Sequence, residues 1–248
     1  GTGGVLIDEN VTMDGGDLKI AATIPNSIVT INGQISDGGS GSGLSIDPPV
    51  DVDINANITM GGDIRIEAVS DITVDANIQS TGGTIDLIAD ENGGGIGDLD
   101  IGADAIATID ANGDLTLQGA NIRVGADGNT TTLDASGNDL TVRITDGGNL
   151  VIGQDSALAD IVNFRMDSTR DPNILNVANT PAGTSYIIGG KIAGISGTVD
   201  LFAQNGLNIN DSLTINAGQL NLISGGSMSL VGDLSVTGEV IANANTNI

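Results

Sequence analysis

The sequence predicts an all-β fold, a right-handed parallel β-helix (β-solenoid) with three strands per coil of about 20–22 residues. Three observations lead there. The first is a recurring phrase: a Gly-rich turn, then Asp, Asn or Thr, then apolar–polar–apolar. It reads Gly15-Gly16-Asp17-Leu18-Lys19-Ile20, then Gly61-Gly62-Asp63-Ile64-Arg65-Ile66, then Gly82-Gly83-Thr84-Ile85-Asp86-Leu87. The second is strict period-two alternation in short runs such as Ile72-Thr73-Val74 and Leu220-Asn221-Leu222, which puts aliphatics on one side of a strand and polar groups on the other. The third is composition: 38 Gly, no Cys, His or Trp, one Tyr and two Phe in 248 residues. A globular core normally draws volume from aromatic rings, whereas Ile, Leu, Val and Ala suit a thin column of stacked side chains. A unit this short cannot bury its own apolar face and must lie on its neighbours.

Taken along the chain, the first coils are marked by the parallel between Asn10–Ile20 and Asn57–Ile66. The tripeptide Ala-Asn-Ile recurs at 56–58, 76–78 and 120–122, read as one coil and then two coils apart. That reading stacks Asn57, Asn77 and Asn121 in a structural ladder at one corner, amide on amide. Strands are expected to begin at Leu207, Leu213, Leu220, Met228, Leu234 and Val240, three to a coil. Two segments break the rhythm. Residues 38–49 are rich in Gly and Ser and end in Pro48-Pro49, which predicts a loop insertion. Residues 153–196 form an irregular segment holding Phe164, Arg165, Arg170, Tyr186 and Lys191, which are expected to make a lateral contact surface. Neither break resembles a linker, so residues 1–248 read as one solenoid domain.

The formal net charge is −25, and 28 of the 32 acidic residues are Asp. Asp favours turns over strand interiors, so the charge should decorate corners as a solvated, self-repelling surface. Nucleic acid is excluded as a partner, since phosphates carry the same sign. No apolar run approaches the roughly 18 residues of a membrane span. No cofactor is called for. Calcium is the ion that clustered carboxylates and turn carbonyls would suit, with Asp90, Glu91, Asp98, Asp100 and Asp104 as the candidate ligands. The tandem Ca²⁺-binding nonapeptide is absent, because Gly43 stands where its Asp ligand belongs and Ile96 interrupts the other near match. Without His or Cys there is no serine or cysteine triad and no zinc site. Carboxylate pairs two apart, Asp51 with Asp53 and Asp98 with Asp100, share a strand face, but a chain this acidic produces such pairs by chance. The expectation is a protein that is not an enzyme.

The phrasing of Asn112-Gly-Asp-Leu-Thr-Leu-Gln-Gly-Ala-Asn-Ile-Arg-Val124 and of Leu213-Thr-Ile-Asn-Ala-Gly-Gln-Leu-Asn-Leu222 resembles filamentous-haemagglutinin-like exoproteins, the β-helical adhesins of two-partner secretion. The resemblance implies a surface-exposed or released rod for adhesion or scaffolding. The secretion-domain motif Asn-Pro-Asn-Gly-Ile is not matched; Ala203-Gln-Asn-Gly-Leu207 keeps only Asn-Gly and an aliphatic. Both ends of the chain continue the repeat style with no amphipathic cap, and exposed strand edges template pairing. The expected role is therefore an extracellular structural rod, filament or adhesin stalk. Its coils would stack end to end as a homopolymer or continue into a longer chain, and a host or cell-surface glycan is its candidate ligand. Two alternatives remain open: a polysaccharide-acting or -binding β-helix of the tailspike type, and a calcium-stabilised surface-layer component.

Overall fold

Alternating aliphatic and polar residues set the strands, and Gly, Asn and Asp set where they stop. The computed structural model describes residues 3–22, 26–39, 41–47, 49–125, 129–145, 150–152, 156–168, 173–174, 195–203, 207–209, 213–215, 217–230 and 233–244. The first winding is β1 (Gly4–Ile7), β2 (Val11–Met13) and β3 (Leu18–Ala21). The second is β4 (Ile28–Ile31), β5 (Ile35–Asp37) and β6 (Leu44–Asp47), and the third β7 (Asp51–Ile54), β8 (Ile58–Met60) and β9 (Ile64–Glu67). Then come β10 (Ile72–Val74), β11 (Ile78–Ser80), β12 (Ile85–Ile88), β13 (Asp98–Ile101), β14 (Ala107–Ala111) and β15 (Leu115–Gly119). Next are β16 (Asn121–Val124), β17 (Thr131–Ile144), β18 (Leu150–Ile152), β19 (Ala157–Ser168) and β20 (Asn173–Ile174). The last are β21 (Thr198–Ala203), β22 (Leu207–Ile209), β23 (Leu213–Ile215), β24 (Gln219–Ser224), β25 (Met228–Leu230), β26 (Leu234–Val236) and β27 (Glu239–Ala244).

These strands stack in parallel as a β-solenoid, with no helix among the described residues. The first face is the seven-stranded sheet β1-β4-β7-β10-β13-β16-β18. The second runs β2-β5-β8-β11-β14 into the first half of β17. The third runs β3-β6-β9-β12-β15 into the second half of β17, then β19, β21, β24 and β27. One strand can serve two faces because Ser136 and Gly137 adopt positive φ (46° and 83°) at a register shift between Asp134 and Asn138. The bulge turns the chain without breaking the sheet.

Each face sends an aliphatic ladder inward. On the first face Val29, Val52, Ile72, Leu99 and Ile122 lie in register, all fully buried. On the third, Leu44, Ile64, Ile85, Leu115, Leu140, Phe164, Val199 and Leu220 form one continuous row. Burying each of these side chains contributes about 1.5–3 kcal/mol against an exposed reference, and the stack makes that gain common to neighbouring windings.

Coil length varies more than the repeat suggested. Asn57 and Asn77 are 20 residues apart, while Asn77 and Thr108 occupy successive windings 31 apart. The difference lies in the corners after β12 and β13. The expected loop at 38–49 is also corrected: Leu44–Asp47 is a full strand, paired with β3 and β9. The Gly-Ser run before it is a corner organised by Asp37, whose carboxylate accepts from the backbone N–H of Gly39 (2.5 Å), Ser42 (2.7 Å) and Gly61 (3.1 Å). Likewise Ala157–Ser168, inside the segment expected to be irregular, is a regular strand that continues two faces.

Close stacking explains the glycines that matter. A Cβ on Gly83 would sit 2.6 Å from the backbone N of Asp63 and 2.7 Å from the carbonyl carbon of Gly62, both in the preceding winding. Gly83→Ala is expected to lower stability by about 1–3 kcal/mol in urea unfolding, because the windings cannot part without losing their ladder. Gly38→Ala, whose Cβ would meet only the Met13 carbonyl at 3.3 Å, should change little.

Candidate functional site

The outward positions of the first face carry the carboxylate pairs read from the sequence. Asp51 accepts from the backbone N–H of Asp71 (3.2 Å), Asp71 from that of Asp98 (2.8 Å), and Asp98 from the Asn121 amide (2.6 Å). Arg123 crosses two positions, bonding both oxygens of Asp100 and reaching Asp98 at 3.0 Å. Hydrogen bonding to Asp100 is the main reason its guanidinium is held well above its ordinary pKa. Asp53 differs. Burial, then the charges of Asp51 and Asp75, push its carboxyl above the usual range, against a hydrogen bond from Thr30.

Asp53 therefore binds its proton more tightly folded than unfolded. Its contribution to stability is fully present below the unfolded pKa and is lost as pH rises through the folded one. Asp53→Asn should raise the melting temperature slightly at pH 7 and leave it unchanged near pH 3, the gain staying below about 1 kcal/mol after solvent screening. Thermal melts at the two pH values check this.

The corners hold ladders that run along the axis. Asn57 Oδ1 accepts from the backbone N–H of Asn77 (3.1 Å), and Asn77 Oδ1 from that of Thr108 (2.9 Å). The stack is thus side chain to backbone. Asn121 is not part of it. It opens β16 on the first face, because the 31-residue coil shifts the third Ala-Asn-Ile to another corner. The amide-on-amide ladder lies elsewhere, with Asn55 Nδ2 donating to Asn32 Oδ1 (3.0 Å) and Asn32 Nδ2 to Asp8 (2.8 Å). These residues went unnoticed in the sequence. Their signal is an Asp or Asn directly after each of the first four first-face strands: Ile7-Asp8, Ile31-Asn32, Ile54-Asn55, Val74-Asp75. At the corner leading into the third face, Asp17 accepts from Gly43 N–H (2.8 Å), Asp63 from Thr84 N–H (2.9 Å) and Asp114 from Asp139 N–H (3.2 Å).

The calcium candidates are dispersed. Asp98 and Asp100 belong to Arg123, while Asp104 sits one corner away, its N–H bonded to Asp75. Asp90 is fully buried in the loop after β12, accepting from Gly95 N–H (3.1 and 2.9 Å) and from the Thr145 hydroxyl. Glu91 lies exposed in the turn beside it. Among the described residues no three of His, Cys, Asp or Glu stand close enough to hold a metal ion. No described helix is long and apolar enough to cross a membrane.

Of the residues expected to form a contact surface, Phe164 is fully buried in the third-face row. This corrects the expectation: alternation along β19 turns Phe164 inward and Arg165 outward. Arg165 is half-exposed and paired with Asp167 at 2.9 Å. Arg170, Tyr186 and Lys191 lie outside the described residues.

One open groove of about 470 Å³ runs along the entry to the third face, lined by Asp17, Ser45, Asp63, Arg65 and a floor of glycines. Its acids are the corner acceptors just described, and its Arg65 bonds Glu67 (2.5 Å) and Asp86 (3.3 Å). The chain matches no family model, no curated protein and no solved structure.

Proposed function

We propose that this protein is a non-catalytic structural rod, a stalk or filament module working outside the cell, with its coils continuing into those of another copy or of a longer chain. One observation carries the reading: the outward polar side chains are engaged with neighbouring windings instead of converging on a substrate. Asp17 and Asp63, the two groove acids, hold backbone N–H groups of the next coil, and Arg65 is held between two carboxylates of its own face. A general acid needs a carboxyl free to move a proton to a bound group. The extracellular location rests on the likeness of the repeat phrasing to bacterial exoproteins. Electron micrographs of the purified chain are expected to show rods, joined end on as concentration rises. Compact particles, or rods that never join, would count against the reading.

The groove favours a second reading, in which the same rod binds a polysaccharide. Two carboxylates, a guanidinium and a hydroxyl (Ser45) in one open channel can meet sugar hydroxyls and an acidic substituent. A glycan-binding screen of the wild type against Asp17→Asn/Asp63→Asn separates the two. Binding lost in the double variant supports the glycan reading, and release of new reducing ends would make the protein an enzyme.

A further inference from the structure

Seven basic residues are spread thinly through the sequence, yet four of the five that lie among the described residues point outward from one face. Lys19, Arg65 and Arg165 stand in the outer row of the third face, and Arg143 in the row beside it. The same rows hold Asp47, Glu67, Asp86, Asp167 and Asp200. On a chain of net charge −25 this face is close to neutral, while Arg123 is the one described cation on the other two.

Order matters more than sum. The outer row is one unbroken register through the third face. Its centre is the adjacent pair Thr116 and Thr141. One winding out on either side stand Asp86 and Arg165. Two windings out stand Arg65 and Asp200, and three out Ser45 and Asn221. Reading outward from the centre, every acid on one arm is matched by a base on the other. Over these three levels the row is its own charge complement when reversed; one level further out Lys19 falls opposite Ile241 and stands outside the pattern.

We propose that the third face is a self-association surface, on which a second copy of this chain docks side by side with its axis reversed. A two-fold axis between the Thr116 and Thr141 levels sets Asp86 against Arg165 of the second copy and Arg65 against its Asp200. Two-fold symmetry repeats each pair, giving four ion pairs across the interface. Because every winding advances by the same ~4.8 Å, all four come into register together. Arg65 and Arg165 are half-exposed (49% and 53%). Arg143, exposed and without an ion pair among the described residues, then lies against Gln118 of the second copy, its neighbour across the axis. The area is adequate: a face about 48 Å long and about 15 Å wide covers roughly 700 Å² per copy, near a standard interface. Asp51, Asp53, Asp98 and Asp100 lie on the first face, turned away, while Asp17, Asp63 and Asp114 line the corner at the edge of the interface.

This inference does not depend on what the rod binds. Its test is sedimentation velocity with small-angle scattering on the purified chain at about 0.15 M salt, where the screening length of about 8 Å mutes the far faces and spares contact pairs. The expected species is a dimer of unchanged length and doubled cross-section. End-on joining would instead double the length, so failure of this inference is distinguishable from failure of the rod reading. Arg65→Asp should weaken the dimer by about tenfold or more, and Arg65→Asp with Asp200→Arg should restore it. Arg65→Asp also sets three acids together on its own face, so Thr141→Glu provides a second variant. It places a carboxylate from each copy beside the axis, removes no charged residue although it stands one winding from Arg165 of its own face, and should abolish the dimer at a melting temperature not below that of the wild type. Arg123→Asp, on the first face, should leave association as it is. A monomer at every concentration, a species that only lengthens, or a charge swap that fails to restore the dimer would overturn the proposal.

Discussion

Phe164→Ala is expected to lower stability by about 3–5 kcal/mol, the largest loss from any single side chain among the described residues. Among the described residues Phe164 is the bulkiest side chain that is fully buried, in a row whose other members are aliphatic. Its neighbours along the axis are Leu140 and Val199, each held by parallel ladder bonds. Those ladders stop the windings from closing around a missing ring, so the cavity persists. Position shapes the readout as well. In a solenoid each winding interacts only with the next, and a weakened contact in mid-rod uncouples the two sides. Urea unfolding followed by circular dichroism should therefore show an earlier midpoint and, in the variant, two resolved steps. Phe164→Leu, which keeps most of the volume, should cost less than about 1.5 kcal/mol and unfold in one.

The same residue shows what could and could not be read from the sequence. Strand positions were legible where steric rules alone decide them: Leu207, Leu213, Met228 and Leu234 each begin a strand, and Leu220 and Val240 fall one residue inside theirs. Period-two alternation also puts Asp51 with Asp53, and Asp98 with Asp100, outward on one face. Phe164 was misjudged because an aromatic ring among basic residues and prolines resembles a surface patch. The local signal, Phe164-Arg165-Met166 as apolar–polar–apolar, is short and flanked by irregular sequence, so it does not by itself show that β19 extends the sheet of β17.

Corner chemistry was only half legible. Asn57 and Asn77 stack because their coil has the minimal 20 residues, so equal spacing in sequence means equal place in space. Asn121 fails because loop insertions reset the phase, and a tripeptide match does not record phase. The groove escaped notice for a similar reason. Asp17 and Asp63 look like turn residues and do that work, and only stacking brings Ser45 and Arg65 beside them. The charge palindrome on the third face is invisible in linear order, since its members are separated by coils of unequal length.

Asp90→Ala should cost about 3 kcal/mol, although Asp90 faces no described cation. The residue is the meeting point of three windings, two of them joined by its carboxylate. It accepts from Gly95 N–H in its own loop and from the Thr145 hydroxyl, 55 residues on, while its carbonyl accepts from the Gln118 amide at 3.4 Å. Removing the carboxylate leaves two half-buried donors without their acceptors, each costing about 1 kcal/mol, the lower end of the range for a fully buried group. The backbone adds a further penalty, since Asp90 sits at φ 51°, which Asp tolerates better than Ala by side-chain hydrogen bonding. Three variants divide these contributions. Asp90→Gly removes the carboxylate without backbone strain and should recover about 1 kcal/mol relative to Ala. Asp90→Asn keeps an acceptor for Gly95 and should lose the least. Thr145→Val removes only the distant donor, and if the latch acts as one unit its loss combined with Asp90→Ala will fall short of the sum. Urea midpoints for the wild type, these four single variants and the double variant measure this directly. A strictly additive pair would mean that the loop is held by its own turn, and that the tie between the fourth and sixth windings contributes nothing.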